Sequence, residues 1–159
     1  MFVCTGNTCR SSMAEGLLKN VIQNNSALKD EYMVDSSGVH AFEGDPASIN
    51  SKSVLKERYG IDISKHKARL INKKIVDEAF LILTMTRAHK DAVLSLFPEA
   101  SEKTFTLKEY VSDEAFGKEY GADIVDPYGG NVKVYEKCAE ELESAISKLE
   151  FKLVNFLNE

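Results

Sequence analysis

The chain has 159 residues, which is enough for one domain with a full hydrophobic core and too few for two comfortable ones. Its 43% of apolar and 28% of charged residues are ordinary for a soluble globular protein, and no apolar run approaches the ~18 residues of a membrane span. The net charge of −5 is unlike that of a general nucleic-acid binder. Three cysteines, an odd number, indicate a reducing compartment and not a disulfide scaffold. These values predict one cytoplasmic domain over residues 1–159, with no nucleic-acid or membrane partner.

The stretch from Cys4 to Ser11, Cys-Thr-Gly-Asn-Thr-Cys-Arg-Ser, carries the reactive groups. A short apolar segment precedes it and apolar residues at helical spacing follow, which predicts a strand, a tight loop and a helix over residues 11–23. Backbone N–H groups around a thiol, backed by the positive end of a helix, favour the reactive thiolate and bind a dianionic phosphate. Gly6 is expected to permit the tight turn, and Arg10 to grip two phosphate oxygens.

The spacing C-x5-R is common by chance, and alone it also fits a buried structural cysteine beside a surface arginine. The strand–loop–helix context favours the functional interpretation, with Cys4 as nucleophile and Arg10 as phosphate clamp. The residues expected to bind phosphate are Thr5, Gly6, Asn7, Thr8, Cys9, Arg10 and Ser11.

Two segments resemble the signatures of the low-molecular-weight protein tyrosine phosphatase family. The stretch from Cys4 through Glu15 is similar to the first signature, and Asp126-Pro127-Tyr128 is similar to the second, which carries the general acid. The resemblance implies a cysteinyl-phosphate intermediate on Cys4, Asp126 as general acid, phosphorylated proteins as substrates, a monomer, and no metal or other cofactor. The alternative for Asp126 is a turn-capping residue, since Asp-Pro is common in turns, but the presence of the phosphate loop favours the catalytic role.

The resemblance also implies supporting residues. Ser36 lies in a segment similar to a family turn whose serine bonds the asparagine of the phosphate loop, here Asn7; the alternative is an ordinary turn at a strand end. His66 matches a family histidine in a hydrogen-bond network behind the site, and we expect it to be structural. Ser11 resembles the hydroxyl that stabilises the Cys4 thiolate as a leaving group.

Apolar patterns along the chain predict strands that alternate with helices. The predicted strands after the first are Tyr32–Val34, Phe80–Leu83 and Thr104–Leu107; the predicted helices are Ala47–Tyr59 with Gly60 as its cap, Arg87–Leu96, and a long one from Val132. Residues 112–123 are polar and predict a loop. The alternation indicates a three-layer α/β domain, flavodoxin- or Rossmann-like, with a four-stranded parallel sheet and helices on both faces. The site is then expected at the carboxyl ends of the strands.

Several side chains have two interpretations. Phe42, in a loop, is expected either at the mouth of the substrate pocket or in local packing. Tyr128 can stack on a phosphotyrosine ring. His89 lies on a predicted helix and is expected to be a solvated surface residue. Cys9 either traps oxidised Cys4 as a disulfide or simply packs beneath the loop.

Thr8 bears on the choice of substrate. Tyrosine-directed members of the family usually carry a bulky apolar residue there, whereas a bacterial subgroup with threonine resembles protein-arginine phosphatases. A hydroxyl offers a guanidinium group a hydrogen-bond acceptor, and Asp126 could pair with the same charge. The stretch Phe105–Tyr110 and the double glycine after Tyr128 also resemble this subgroup. The sequence therefore favours phosphoarginine, with phosphotyrosine as the alternative.

Two other functional classes fit the sequence less well. Arsenate reductases share the fold and the opening of the loop, but they need two further cysteines in a mid-chain loop. The only remaining cysteine here, Cys138, falls on an apolar helical stripe and is expected to lie inert in the core. A phosphoprotein-binding module without activity would lack the nucleophile or the acid, whereas Cys4, Arg10 and Asp126 are all present.

Overall fold

A computed structural model of the chain describes residues 1–112, 121 and 123–159. Its strands form one parallel sheet in the order β2-β1-β3-β4. The strands are β1 (Phe2–Cys4), β2 (Ser36–Gly38), β3 (Ile82–Thr84) and β4 (Thr104–Thr106). The parallel four-stranded sheet confirms the predicted α/β class.

Helices connect the strands and extend beyond the last one. They are α1 (Arg10–Asn24), α2 (Ile49–Tyr59), α3 (Lys73–Glu78), α4 (Arg87–Leu96), a 3-10 helix (Pro98–Lys103), α5 (Leu107–Val111) and α6 (Val132–Leu157). No helix among the described residues is long and apolar enough to cross a membrane.

Neighbouring residues of each strand point to opposite faces of the sheet. Phe2 belongs to a buried cluster formed mainly with α1 and α6, in which Leu142 is fully buried. Val3 belongs to a second cluster with residues of α3 and α4, in which Val93 is fully buried. Helices therefore cover both faces, and the three predicted layers are present.

The prediction of a strand over Tyr32–Val34 is wrong. The residues that pair with β1 are Ser36–Gly38, with Phe2 opposite Ser36, and Met33 is 94% exposed. The Tyr32 hydroxyl instead donates to a backbone carbonyl of α6. The second strand is therefore formed by the small residues Ser36–Gly38, whose backbone pairs with β1, and not by the apolar residues that precede them.

The other predicted strands are correct in position but not in their bounds. Phe80 is 61% exposed and lies before β3. Leu107 begins α5 instead of ending β4, because Thr106 and Glu109 form a capping box that starts a helix there. Neither α5 nor α3 was predicted.

The main helices agree well with the sequence patterns. Helix α4 has the predicted bounds, α6 begins at Val132 as predicted, and α2 ends at Gly60, whose φ of 68° is the left-handed cap expected there. The predicted loop over residues 112–123 lies mostly outside the described residues.

The prediction of a solvated His89 is wrong. This histidine lies in the first turn of α4, where its N–H donates to the Thr86 hydroxyl that caps the helix, and its side chain is only 6% exposed. Its Nε2 lies 2.8 Å from the Thr5 hydroxyl, in the loop after β1. Burial lowers the pKa of His89 to about 4, and the positive charge of Arg10 contributes to the shift.

We expect the free energy of unfolding to decrease as the pH falls from about 6.5 to about 4, because the unfolded chain binds a proton at His89 that the folded chain resists. The contribution of this group is about 3 kcal/mol at most. Urea unfolding of the wild type and of His89→Gln, near neutral pH and near pH 4.5, measures it. The variant should lose less stability on acidification; equal losses would contradict the assignment.

Candidate active site

The loop Cys4–Ser11, hereafter the catalytic loop, runs from the carboxyl end of β1 into α1. Cys4 is buried at the bottom of the loop. The Asn7 N–H donates to the Cys4 Sγ at 3.2 Å, and the Ser11 Oγ lies 2.9 Å from the same sulfur. A thiolate at this position would accept both hydrogen bonds.

The side chain of Asn7 connects the catalytic loop to its surroundings. Its backbone is left-handed, with φ of 58°, and the residue is fully buried. The amide Nδ2 donates to the hydroxyls of Ser11 and Ser36, each at 2.8 Å, and Oδ1 accepts the Arg69 N–H at 2.9 Å. The predicted hydrogen bond between Ser36 and Asn7 is therefore present.

Asn7, and not Gly6, makes the unusual turn. Gly6 has no positive φ, and a Cβ built on it would meet only the Thr8 hydroxyl among the described residues, at 3.7 Å. The predicted need for glycine at this position is therefore not seen. A glycine beside the loop that does exclude a side chain is Gly38 at the end of β2, where a Cβ would lie 2.4 Å from the Thr5 carbonyl oxygen.

His66 supports the loop from behind, as predicted. Its Nε2 lies 2.7 Å from the Asn7 carbonyl oxygen, and its Nδ1 lies 3.8 Å from a carboxylate oxygen of Glu15. Glu15 also accepts a short hydrogen bond from the Ser36 hydroxyl. Sequence reasoning gave Glu15 no role, although its position four residues after Ser11, on the same face of α1, was an available signal.

Arg10 begins α1 and is only 5% exposed. Its Nη1 donates to the Ile124 carbonyl at 3.1 Å, and its Nη2 lies 3.1 Å from Asp126 Oδ2. The other carboxylate oxygen of Asp126 accepts the Tyr128 N–H, while the side chain remains 54% exposed. The fold therefore brings together the predicted clamp and the predicted acid, which are 116 residues apart.

The segment before Asp126 is fastened to the rest of the site. The Asp123 carboxylate accepts the Arg87 N–H at 2.8 Å, at the start of α4. The Ile124 N–H donates to the Met85 carbonyl, also at 2.8 Å. These two hydrogen bonds hold in place the backbone that leads to Asp126. No sequence motif pointed to Asp123.

The first turn of α1 is suited to an anion. It contains no acidic residue, and Cys9, the N-cap, makes no side-chain hydrogen bond to the helix. Helix N-termini with free backbone N–H groups attract negative charge. Together with Arg10, this end of the helix can hold a phosphate group over the Cys4 sulfur.

The predicted pocket residues differ in their surroundings. Thr8 is half-buried, and its carbonyl accepts the Ser48 N–H at 2.9 Å. Phe42 follows β2 and is 78% exposed, so its side chain is not tucked into local packing. Tyr128 is also exposed, two residues after Asp126. Their contact with substrate remains a prediction.

The other two cysteines are buried, and all three are free thiols. The Cys9 sulfur lies 3.3 Å from the Tyr135 hydroxyl of α6, which agrees with packing beneath the loop. Burial raises the pKa of the Cys138 thiol to about 12, as expected for a core residue. Among the described residues, no three His, Cys, Asp or Glu side chains are placed to hold a metal ion.

Known proteins are similar to nearly the whole length of this chain. A family model described as low molecular weight phosphotyrosine protein phosphatase matches residues 1–156. A protein-arginine-phosphatase of Geobacillus stearothermophilus is 44% identical, over 96% of this chain and 94% of its own. The low molecular weight protein-tyrosine-phosphatase PtpB of Staphylococcus epidermidis is 35% identical, over 96% of each chain.

The solved structures agree with these matches. The crystal structure of a low molecular weight protein tyrosine phosphatase from T. tengcongensis is 46% identical and has a TM-score of 0.85, over 95% of this chain and 96% of that one. The family model and these relatives match nearly the whole chain, and the fold agrees with that of the solved structure. The chain therefore belongs to the low molecular weight phosphotyrosine protein phosphatase family, and it is a protein phosphatase.

Proposed function

We propose that the protein removes phosphate from phosphoarginine side chains of proteins, through a cysteinyl-phosphate formed on Cys4. One observation carries the mechanism. One loop carries Cys4, whose sulfur contacts Ser11 of α1, and Arg10, which begins that helix, while Asp126 reaches Arg10 from a separate segment, at 3.1 Å. In this proposal Cys4 is the nucleophile, Arg10 the anion clamp and Asp126 the proton donor.

In the first step, the Cys4 thiolate attacks phosphorus and the bond from phosphorus to the leaving nitrogen breaks. Arg10 and the amides of the catalytic loop hold the equatorial oxygens of the transferring group. Asp126 donates its proton to the leaving nitrogen, so that no negative charge develops on it and the side chain departs as the ordinary arginine guanidinium. In this proposal the compensating positive charge comes from the chain itself, and no metal is required.

In the second step, water attacks phosphorus and the sulfur–phosphorus bond breaks. Asp126, now ionised, takes a proton from the attacking water, and inorganic phosphate leaves. The Cys4 thiolate is the leaving group, and the Ser11 hydroxyl and the Asn7 N–H are within hydrogen-bond reach of it. The same acid–base residue and the same sulfur contacts therefore act in both steps.

Phosphoarginine is supported by two side chains at the mouth of the site. Asp126 already pairs with one guanidinium group, that of Arg10, and half of its side chain is open to solvent. Thr8 supplies a hydroxyl where a guanidinium N–H could donate. The relative from Geobacillus stearothermophilus, described as a protein-arginine-phosphatase, is consistent with this choice.

Phosphotyrosine is the second candidate. The exposed ring of Tyr128 lies two residues from Asp126, where it could stack on a phenol ring. The relative from Staphylococcus epidermidis is described as a protein-tyrosine-phosphatase. The chemistry on Cys4 would be the same, since only the leaving atom changes.

The proposal includes a cytoplasmic monomer that acts without nucleic acid. The nucleophile must remain a free thiol, which a reducing compartment favours. Residues of one chain complete the site, so a second copy is not needed. The net charge of −5 is also unsuited to a nucleic-acid partner.

Replacing Cys4 with serine should abolish turnover but leave phosphate binding, because the clamp and the helix end remain. We expect kcat to fall below about a thousandth of the wild-type value. Turnover is measured on an aryl phosphate, and binding by calorimetry with inorganic phosphate. Cys138→Ala, which removes a thiol from the core, is the control; an active Cys4→Ser variant would exclude the mechanism.

Replacing Asp126 with asparagine should lower kcat about a hundredfold or more on a phosphate ester with a poor leaving group. The loss should be smaller on an aryl phosphate whose leaving group needs no proton. Asp91→Asn makes the same charge change at an exposed position of α4 and should have little effect. Equal losses of Asp126→Asn on both substrates would show that this residue is not the proton donor.

The substrate is tested with two peptides that match except for phosphoarginine or phosphotyrosine. We expect kcat/KM to be higher for the phosphoarginine peptide. Thr8→Val should reduce that preference about tenfold, because the hydrogen bond between the half-buried Thr8 hydroxyl and the substrate guanidinium is lost. Thr8→Ser keeps the hydroxyl and should keep the preference. A preference of the wild type for phosphotyrosine would leave the Cys4 mechanism intact and reject the proposed substrate.

A further inference from the structure

Thr5 follows the nucleophile directly and has an exposed side chain at the rim of the site. Its Oγ1 lies 2.8 Å from Nε2 of His89, a residue 84 positions later in the chain. His89 is 6% exposed and comes from the first turn of α4, in a different β–α unit from the catalytic loop. One partly buried contact therefore joins the start of the catalytic loop to the N-terminus of α4.

The surroundings of His89 decide which partner donates. Its Nδ1 is buried and has no hydrogen-bond partner among the described residues. An orphaned buried N–H is rarer in proteins than an under-used acceptor, so the proton belongs on Nε2. Burial, and then the charge of Arg10, lower the pKa of His89 to about 4, which keeps the ring neutral near pH 7. His89 is thus the donor and the Thr5 hydroxyl oxygen the acceptor.

Stability alone gives little reason for a histidine at this position. A buried polar ring with one nitrogen unpaired stabilises a fold less than an apolar side chain of similar size. The contact with Thr5 is the one hydrogen bond that the ring makes within the described residues. This points to a role at the loop and not in the core.

Thr5 is held at two atoms from two sides. Its carbonyl accepts the His40 N–H at 2.9 Å from the segment after β2, and its hydroxyl accepts from His89 of α4. Two residues further on, the Asn7 N–H points at the Cys4 sulfur. A free rotation at Thr5 would move this amide, because Gly6 between them has no side chain to restrain the backbone.

We propose that His89 is a positioning residue of the phosphatase reaction. Through Thr5 it fixes the first turn of the catalytic loop, and so keeps the loop amides aimed at the Cys4 sulfur and at the phosphate. The inference rests on the proposed function of Cys4 as nucleophile. Precise placement of such donors before the reaction is a main source of rate enhancement.

Two pairs of variants test the contact. His89→Leu removes the donor, whereas His89→Gln keeps an amide N–H with similar reach; Thr5→Val removes the acceptor, whereas Thr5→Ser keeps it. On an aryl phosphate, the Leu and Val variants should each lower kcat/KM about tenfold, mainly through kcat. The kcat/KM of the double variant His89→Leu/Thr5→Val should be no lower than that of the less active single variant, because both substitutions break the same hydrogen bond.

The pH dependence of Cys4 alkylation provides a second test, because a general loss of stability would not change it. The rate of alkylation by iodoacetate is followed against pH, which reports the thiolate without any turnover. The pH at which the alkylation rate is half-maximal should rise by about one unit in His89→Leu and in Thr5→Val. It should stay near the wild-type value in His89→Gln and in Thr5→Ser. Circular dichroism checks folding, and if His89→Leu fails to fold, the Thr5 pair decides alone.

Independent losses that multiply to about a hundredfold in the double variant would overturn the proposal. So would unchanged alkylation midpoints, or a His89→Gln variant as impaired as His89→Leu. Failure of the proposed function looks different. In that case the wild type itself would show no Cys4-dependent hydrolysis, while the alkylation profiles of the variants would still test the contact.

Discussion

The site depends on the buried amide of Asn7. This residue adopts a left-handed backbone, which costs a non-glycine residue roughly 1–2 kcal/mol, and it does so with no access to water. Its hydrogen bonds to Ser11, Ser36 and the Arg69 backbone offset that cost. The catalytic loop is therefore shaped by the protein and not by the ligand, so the Asn7 N–H already points at Cys4 Sγ before a phosphate arrives.

Around this loop, each neighbouring element contributes one constraint. Helix α1 presents its N-terminus, β2 brings Ser36 against Asn7, and the start of α4 anchors Asp123. Asp126 then reaches the site from a segment tied to α4, and its ion pair with Arg10 spans 3.1 Å. A sheet of parallel strands concentrates such termini at one edge, which explains why side chains from distant parts of the chain meet there.

Sequence patterns were sufficient to find site residues that lie close together in the chain, within one local structural unit. Cys4 and Arg10 lie within one strand–loop–helix unit, so their spacing and this local context together indicated a phosphate site. The role of Asp126 required the resemblance to a family. Glu15 and Asp123 were missed because their partners come from other elements. His89 was misjudged for the same reason: a polar residue near the start of a helix is usually solvated, and only the packing of α4 against the loop buries it.

The short strands have a consequence for how this protein tolerates change. Strand β1 spans only Phe2–Cys4, and at about 3.3 Å per residue the core ring of Phe2 and the reactive sulfur belong to positions about 7 Å apart along the backbone. In the described part of the chain, no further layer of residues separates the core packing around Phe2 from the Cys4 sulfur. Repacking the core around Phe2 would therefore also shift the Cys4 sulfur, because both residues belong to one buried cluster, so a substitution chosen for stability there would disturb the proposed nucleophile.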